Sequence, residues 1–181
     1  MNGGLLAWLA LGLWSAWAIA LQGAWSSTGW GGSWSPEVGV VLVIGLASRM
    51  THERARTGAV IVALTRSALS VEPLFATLAG YLLLAELVAT LRSSVDTEEP
   101  LLRTSLAGVG SALLVAWFGF VHSVRADAPA PWITDLADRA LPAAAATAAF
   151  SFLLGGWLRR LPGIGPLWKK ELPWGVAVPV R

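Results

Sequence analysis

The chain contains no cysteine, which removes disulfides, thiolate metal sites and thiol nucleophiles together and leaves the redox compartment open. Histidine is reduced to His52 and His122, and tyrosine to Tyr81. Zinc chemistry of the H-E-x-x-H kind needs a second histidine four residues on, which His52-Glu53 lacks. An intramembrane serine nucleophile needs a histidine at matching depth, and both histidines stand at the edges of apolar segments. No phosphate-cradling glycine loop occurs. Sequence therefore predicts no enzyme, no metal and no cofactor. Charge is scarce as well: Asp, Glu, Lys and Arg make up 13% of 181 residues, against about 25% in a soluble domain.

Apolar residues fill that space. They amount to 55% of the chain, and the mean hydropathy is +0.63, the composition of an integral membrane protein. Eleven tryptophans lie mostly at the ends of apolar segments, where indoles favour the membrane–water boundary. A net charge of +2 does not signal nucleic acid, because the basic residues sit at segment ends rather than along one face.

The organising stretch is Thr57 to Arg92, two apolar arms joined at Glu72-Pro73, each with one mid-segment charge, Arg66 and Glu86. Charged groups at such depth are costly unless paired or turned inward. Counting about 1.5 Å per residue from Thr57 and from Arg92, Arg66 lies about 14 Å deep and Glu86 about 9 Å deep, which predicts an Arg66–Glu86 ion pair. Such a pair either fixes the hairpin register or lines a polar cavity for a substrate or ion; both readings stand open.

Around this hairpin the sequence predicts four further crossings: Gly4–Gln22, read as a retained helix rather than a cleaved leader, Val38–Met50, Leu101–Val121 and Ala140–Leu158. Ser105, Ala107, Gly108, Gly110 and Ser111 give the fifth crossing a small-residue surface for close helix packing. Loops are expected at Gly23–Pro36, with Trp25, Trp30 and Trp34 as interfacial anchors, and at Ser123–Asp138. Asp96, Glu98 and Glu99 form a solvated acidic turn, and His52 belongs to a basic topology signal with Arg49, Arg54 and Arg56. Four prolines break the segment after Arg160, so residues 161–181 are expected to lie on the cytoplasmic surface. The fold class is thus all-α: one integral membrane domain over 1–181, a bundle of about six transmembrane helices over 1–160 and a surface tail. With the N-terminus inside, most Lys and Arg fall on the cytoplasmic side, which predicts both termini there.

One order of features spans the middle of the chain. Ser35-Pro36-Glu37 leads into VGVVLVIGLASRM; then follow Leu64-Thr65-Arg66-Ser67-Ala68-Leu69-Ser70, Pro73-Leu74, Gly80-Tyr81 and Leu91-Arg92. This order resembles the rod-shape-determining protein MreD family, with Ser67 where an aspartate is usual and Phe75 where a glycine is usual. The resemblance covers about Leu21 to Arg103, and its motif hairpin carries Ser67, Ser70, Glu72 and Pro73. It implies a non-enzymatic scaffold of the bacterial cell-wall elongation machinery in the inner membrane. Its partners would be a MreC-like single-span protein and, through it, the wall synthase and transpeptidase, besides the lipid bilayer and with no nucleic acid. The family is similar in fold to the substrate-capture subunits of energy-coupling-factor transporters. That gives an alternative, a small-molecule binding subunit with an outward polar cavity; an accessory subunit of a larger membrane complex is a third.

Overall fold

The computed structural model describes residues 2–28, 32–97, 99–126, 132–168, 170–171 and 177–178. Its body is six helices: α1 (Asn2–Ser27), α2 (Val38–Ala47), α3 (His52–Leu69), α4 (Leu74–Leu91), α5 (Pro100–Arg125) and α6 (Trp132–Leu154). Single 3-10 turns occupy Gly32–Trp34, Trp157–Arg160 and Gly165–Trp168, and two-residue strands β1 (Lys170–Glu171) and β2 (Ala177–Val178) pair antiparallel. Among the described residues, three helical stretches are long and apolar enough to cross a membrane: Gly4–Ser27, Leu74–Leu91 and Pro100–Arg125.

The centre of the bundle is its shortest helix. All ten residues of α2 are buried, and α2 touches each of the other five helices. The segment VGVVLVIGLA has no polar face, and a helix that is apolar all round is stable only when surrounded. Glycines on it and around it set how closely the neighbours approach. A Cβ at Gly39 would overlap the Tyr81 hydroxyl of α4, and one at Gly110 of α5 would lie 2.9 Å from Leu84 Cδ1 and 3.3 Å from Val40 Cγ1. Gly39→Ala is therefore expected to lower stability by about 1–3 kcal/mol. The check is the thermal midpoint in detergent; an unchanged midpoint would mean that the Tyr81 ring has room to move.

At about 1.5 Å per residue α2 covers only about 15 Å, against about 39 Å for α1, so the bundle interior beyond its C-terminus needs other filling. The segment after α6 supplies it, so residues 161–168 of the expected surface tail pack into the bundle instead; most of 169–181 lies outside the described residues. Leu158, Ile164 and Leu167 are buried, Ile164 completely. Trp14 of α1 donates its indole N–H to the Pro162 carbonyl at 3.1 Å. Gly163 adopts φ +86, and a Cβ there would lie 2.9 Å from Ala10, so glycine is needed on both counts. The prolines do forbid a helix, but 3-10 turns closed by bonds such as Leu167 N–H to Ile164 O at 2.9 Å let the chain fold back into the bundle. Residues 161–168 belong to the bundle.

A second correction concerns the expected loop 123–138. Helix α5 runs to Arg125 and α6 begins at Trp132, because Ile133, Leu136, Ala137 and Ala140 repeat at helical spacing despite the intervening aspartates. Likewise α1 extends through the start of the expected first loop, to Ser27; Trp30 lies outside the described residues.

The alternating course of the helices gathers the arginines. Arg92, closing α4, donates to the Met50 carbonyl at 2.6 Å, and Arg54, opening α3, donates to Leu167 O at 3.4 Å. Arg103 near the start of α5 is buried against Gly155 just past α6. Arg49, Arg54, Arg56, Arg92 and Arg103 thus share one end of the bundle, and the opposite end carries the cavity described next.

Candidate functional site

Glu37 stands immediately ahead of α2. Its backbone N–H donates to Thr147 Oγ1 of α6 at 2.9 Å, and the next N–H, of Val38, donates to Gln22 Oε1 of α1 at 3.1 Å. The first donors of a helix have no intrahelical acceptor, so these side chains satisfy groups that would otherwise be stranded in the interior. Thr147 also donates to Ala143 O at 2.6 Å and lies 3.1 Å from the Ser111 hydroxyl of α5. Helices α1, α2, α5 and α6 are pinned together at this level. Thr147→Val keeps the shape but strands the Glu37 N–H, with an expected cost of about 1–3 kcal/mol; thermal unfolding of the purified variant checks it.

With its N–H held, Glu37 turns its carboxylate to α3. Arg66 Nη1 lies 3.1 Å from Oε2 and Nη2 donates to Oε1 at 3.4 Å, a two-pronged contact between side chains that are each 13% exposed. The carboxylate also sits at the positive end of α2. Tyr81 is fully buried beside this pair, and its hydroxyl has no hydrogen-bond partner among the described residues.

The predicted Arg66–Glu86 pair is not formed. Glu86 lies 2.7 Å from His52 Nε2 and bonds Arg56 Nε, at the other end of the hairpin and partly exposed. The reason is the register of an antiparallel hairpin. The turn falls between Leu69 and Leu74, so Arg66 faces the level of Thr77, nine residues or about 14 Å from Glu86. Counting depth from Thr57 overlooked that α3 begins at His52. His52, read from sequence only as part of a topology signal, is a partner of Glu86.

The motif hairpin forms the turn itself. Ser70 Oγ accepts the Glu72 N–H at 3.3 Å, Ser67 Oγ donates to the Glu72 carbonyl at 3.4 Å, and Pro73 sits just before α4 with the extended backbone suited to that position. These contacts hold Glu72 at the same end of the bundle as Arg66. Of the small residues on α5, Gly108 lies against α6, where a Cβ would be 3.4 Å from Ala144 O and Ala148 Cβ, Gly110 lies against α2 and α4, and Ser111 meets Thr147.

Above the Glu37–Arg66 pair is a cavity of about 870 Å³. Its charged or titratable walls are Glu37, Arg66, Glu72, His122 and Arg139, and an apolar side is made by Val115, Phe118 and Ala143. A smaller pocket of about 330 Å³ adjoins it, sharing Glu72 and His122 and adding Arg125. Among the described residues no group of three or more His, Asp or Glu could hold a metal ion. The arrangement suits a small polar molecule held by charges of both signs. Sequence reasoning missed Glu37 as the partner of Arg66. The available signal was an acid placed directly between Pro36 and a wholly apolar segment.

The described residues therefore define an all-helical bundle with three membrane-spanning-capable helices and a charged cavity at one end. No family model, no curated protein and no solved structure matches the chain.

Proposed function

We propose that the chain is a six-crossing protein of the bacterial inner membrane, with both termini cytoplasmic. It acts as a non-enzymatic scaffold of the cell-wall elongation machinery, binding a MreC-like single-span partner and, through it, the wall synthase and transpeptidase. The observation that carries this reading is the contact between Glu37 and Arg66. The resemblance to rod-shape-determining MreD proteins runs over about Leu21 to Arg103, and two of the stretches that carry it, Ser35-Pro36-Glu37 and the hairpin around Arg66 to Pro73, are far apart in sequence. This ion pair joins them into one site. The gathering of Arg49, Arg54, Arg56, Arg92 and Arg103 at one end supports the orientation, since loops rich in Lys and Arg stay inside. Short α2 crosses together with its flanks, assisted by the returning segment 157–168.

The test is affinity purification of the tagged chain in mild detergent from its own host. Co-elution of a single-span protein with a wall synthase is expected. Recovery of an ATPase module with neither of them would overturn the scaffold reading and favour a second one, supported by the cavity of about 870 Å³: a substrate-capture subunit of a vitamin-type transporter.

A further inference from the structure

We propose that the cavity beside Glu37 and Arg66 binds a small zwitterion, a molecule that carries an anionic group and an ammonium together, of the kind found in a phosphoethanolamine headgroup. This goes beyond the scaffold reading and does not depend on which partner proteins the bundle has.

The volume of about 870 Å³ falls within the range of small-molecule sites. The composition of the walls narrows the chemistry. Two carboxylates, Glu37 and Glu72, face the same space as two guanidiniums, Arg66 and Arg139. Glu37 and Arg66 neutralise each other, which leaves one charge of each sign, Glu72 and Arg139, for a ligand. A polyanion would be repelled by Glu72, a metal cation by Arg139, and an apolar molecule would satisfy neither. A ligand with one charge of each sign meets both, and the apolar side at Val115, Phe118 and Ala143 accommodates a short carbon body.

The polar groups here have capacity to spare. A guanidinium has five donors in a planar fork; Arg66 directs its two Nη atoms at Glu37, while its buried Nε has no hydrogen-bond partner among the described residues. The buried hydroxyl of Ser35, another wall residue, is also without one. Because Arg66 and Glu37 already neutralise each other, the charges with most freedom to engage a ligand are Glu72, which would take the ammonium, and Arg139, which would take the anion in the two-pronged manner that guanidinium favours. The same chemistry can arrive as a free solute or as the headgroup of a membrane lipid.

Isothermal titration calorimetry on the detergent-purified full chain with glycerophosphoethanolamine tests the solute. Saturable binding is expected, with ethanolamine and glycerol phosphate, which each supply one charge, at least tenfold weaker. Native mass spectrometry of the chain released from vesicles of phosphatidylethanolamine and phosphatidylglycerol tests the lipid, and retention of phosphatidylethanolamine over phosphatidylglycerol is expected if the headgroup is the natural source. Glu72→Gln and Arg139→Gln should each weaken whichever form binds by about tenfold or more while the thermal midpoint stays unchanged. Binding by the lipid alone, or by the solute alone, sustains the proposal and assigns the source. Failure of both, equal binding of the single-charge probes, or undiminished binding by both variants would overturn it, and none of these results bears on co-purification of a wall synthase.

Discussion

Replacing Arg66 with leucine is expected to cost about 3–5 kcal/mol of stability, because it leaves the Glu37 carboxylate buried with no counter-charge. Glu37 is 13% exposed, its nearest cationic group is Arg66, and the fully buried Tyr81 stands beside the pair. The informative comparison is the double variant Arg66→Leu with Glu37→Leu. Removing both charges abolishes the desolvation cost along with the attraction, so the double variant should be markedly more stable than Arg66→Leu alone. Thermal unfolding of the three chains in one detergent reads this directly. Additive losses in the double variant would mean that the two side chains do not act on each other. Glu86→Gln serves as the contrast. Its partners His52 and Arg56 are 44% and 54% exposed in their side chains, and ion pairs in contact with water contribute little. A midpoint close to that of the unsubstituted chain is expected. A large loss there and none at Arg66 would reverse the assignment of the buried pair.

That contrast also marks what can be read from one dimension of sequence. Isolated charges in apolar arms do announce that Arg66 and Glu86 need partners, since a charge set among apolar neighbours is costly to bury alone. Choosing the partners requires register. A hairpin pairs residues symmetrically about its turn, so an error of five residues in where α3 begins, at His52 rather than Thr57, misplaces depth along it by about 7–8 Å, enough to make Arg66 and Glu86 look like neighbours when they stand about 14 Å apart. The helices themselves are legible, because a buried backbone must satisfy its polar groups internally and long apolar runs do so most readily as helices. Their ends are not, since caps such as Gln22 on Val38 N–H and Thr147 on Glu37 N–H come from residues 16 and 110 positions away. The cavity was legible only as an alternative. Its walls are drawn from α1, the Gly32–Trp34 turn, α3, α5 and α6 and the chain between them, and no local pattern brings Arg139 to Glu72.

The returning segment after α6 carries the second large effect. Sequence shows four prolines and alternating small residues in RRLPGIGPLWKKELPWGVAVPVR, a pattern that looks unable to pack because it cannot form a helix. Packing demands only that apolar side chains find a space and that the backbone satisfy itself, and the shortness of α2 leaves such a space. Ile164 is completely buried and Leu167 nearly so, next to the α1 surface at Ala10 and Trp14 that Gly163 and Pro162 touch. Ile164→Ala should then cost about 2–5 kcal/mol through lost contacts and the void left behind. Trp14→Phe, which removes the bond to the Pro162 carbonyl and part of the ring's packing, should cost about 1–2 kcal/mol. Leu153→Ala, 76% exposed on the neighbouring helix, is the matched control and should change little. These values are read from thermal midpoints, and limited proteolysis gives an independent measure: loosening the segment by Ile164→Ala should speed cleavage after Arg160 relative to the unsubstituted chain. Equal protease sensitivity and equal midpoints for Ile164→Ala and Leu153→Ala would place the segment outside the bundle. The space below α2 would then need another occupant, and a partner's apolar helix becomes the first candidate to seek in the co-purified complex.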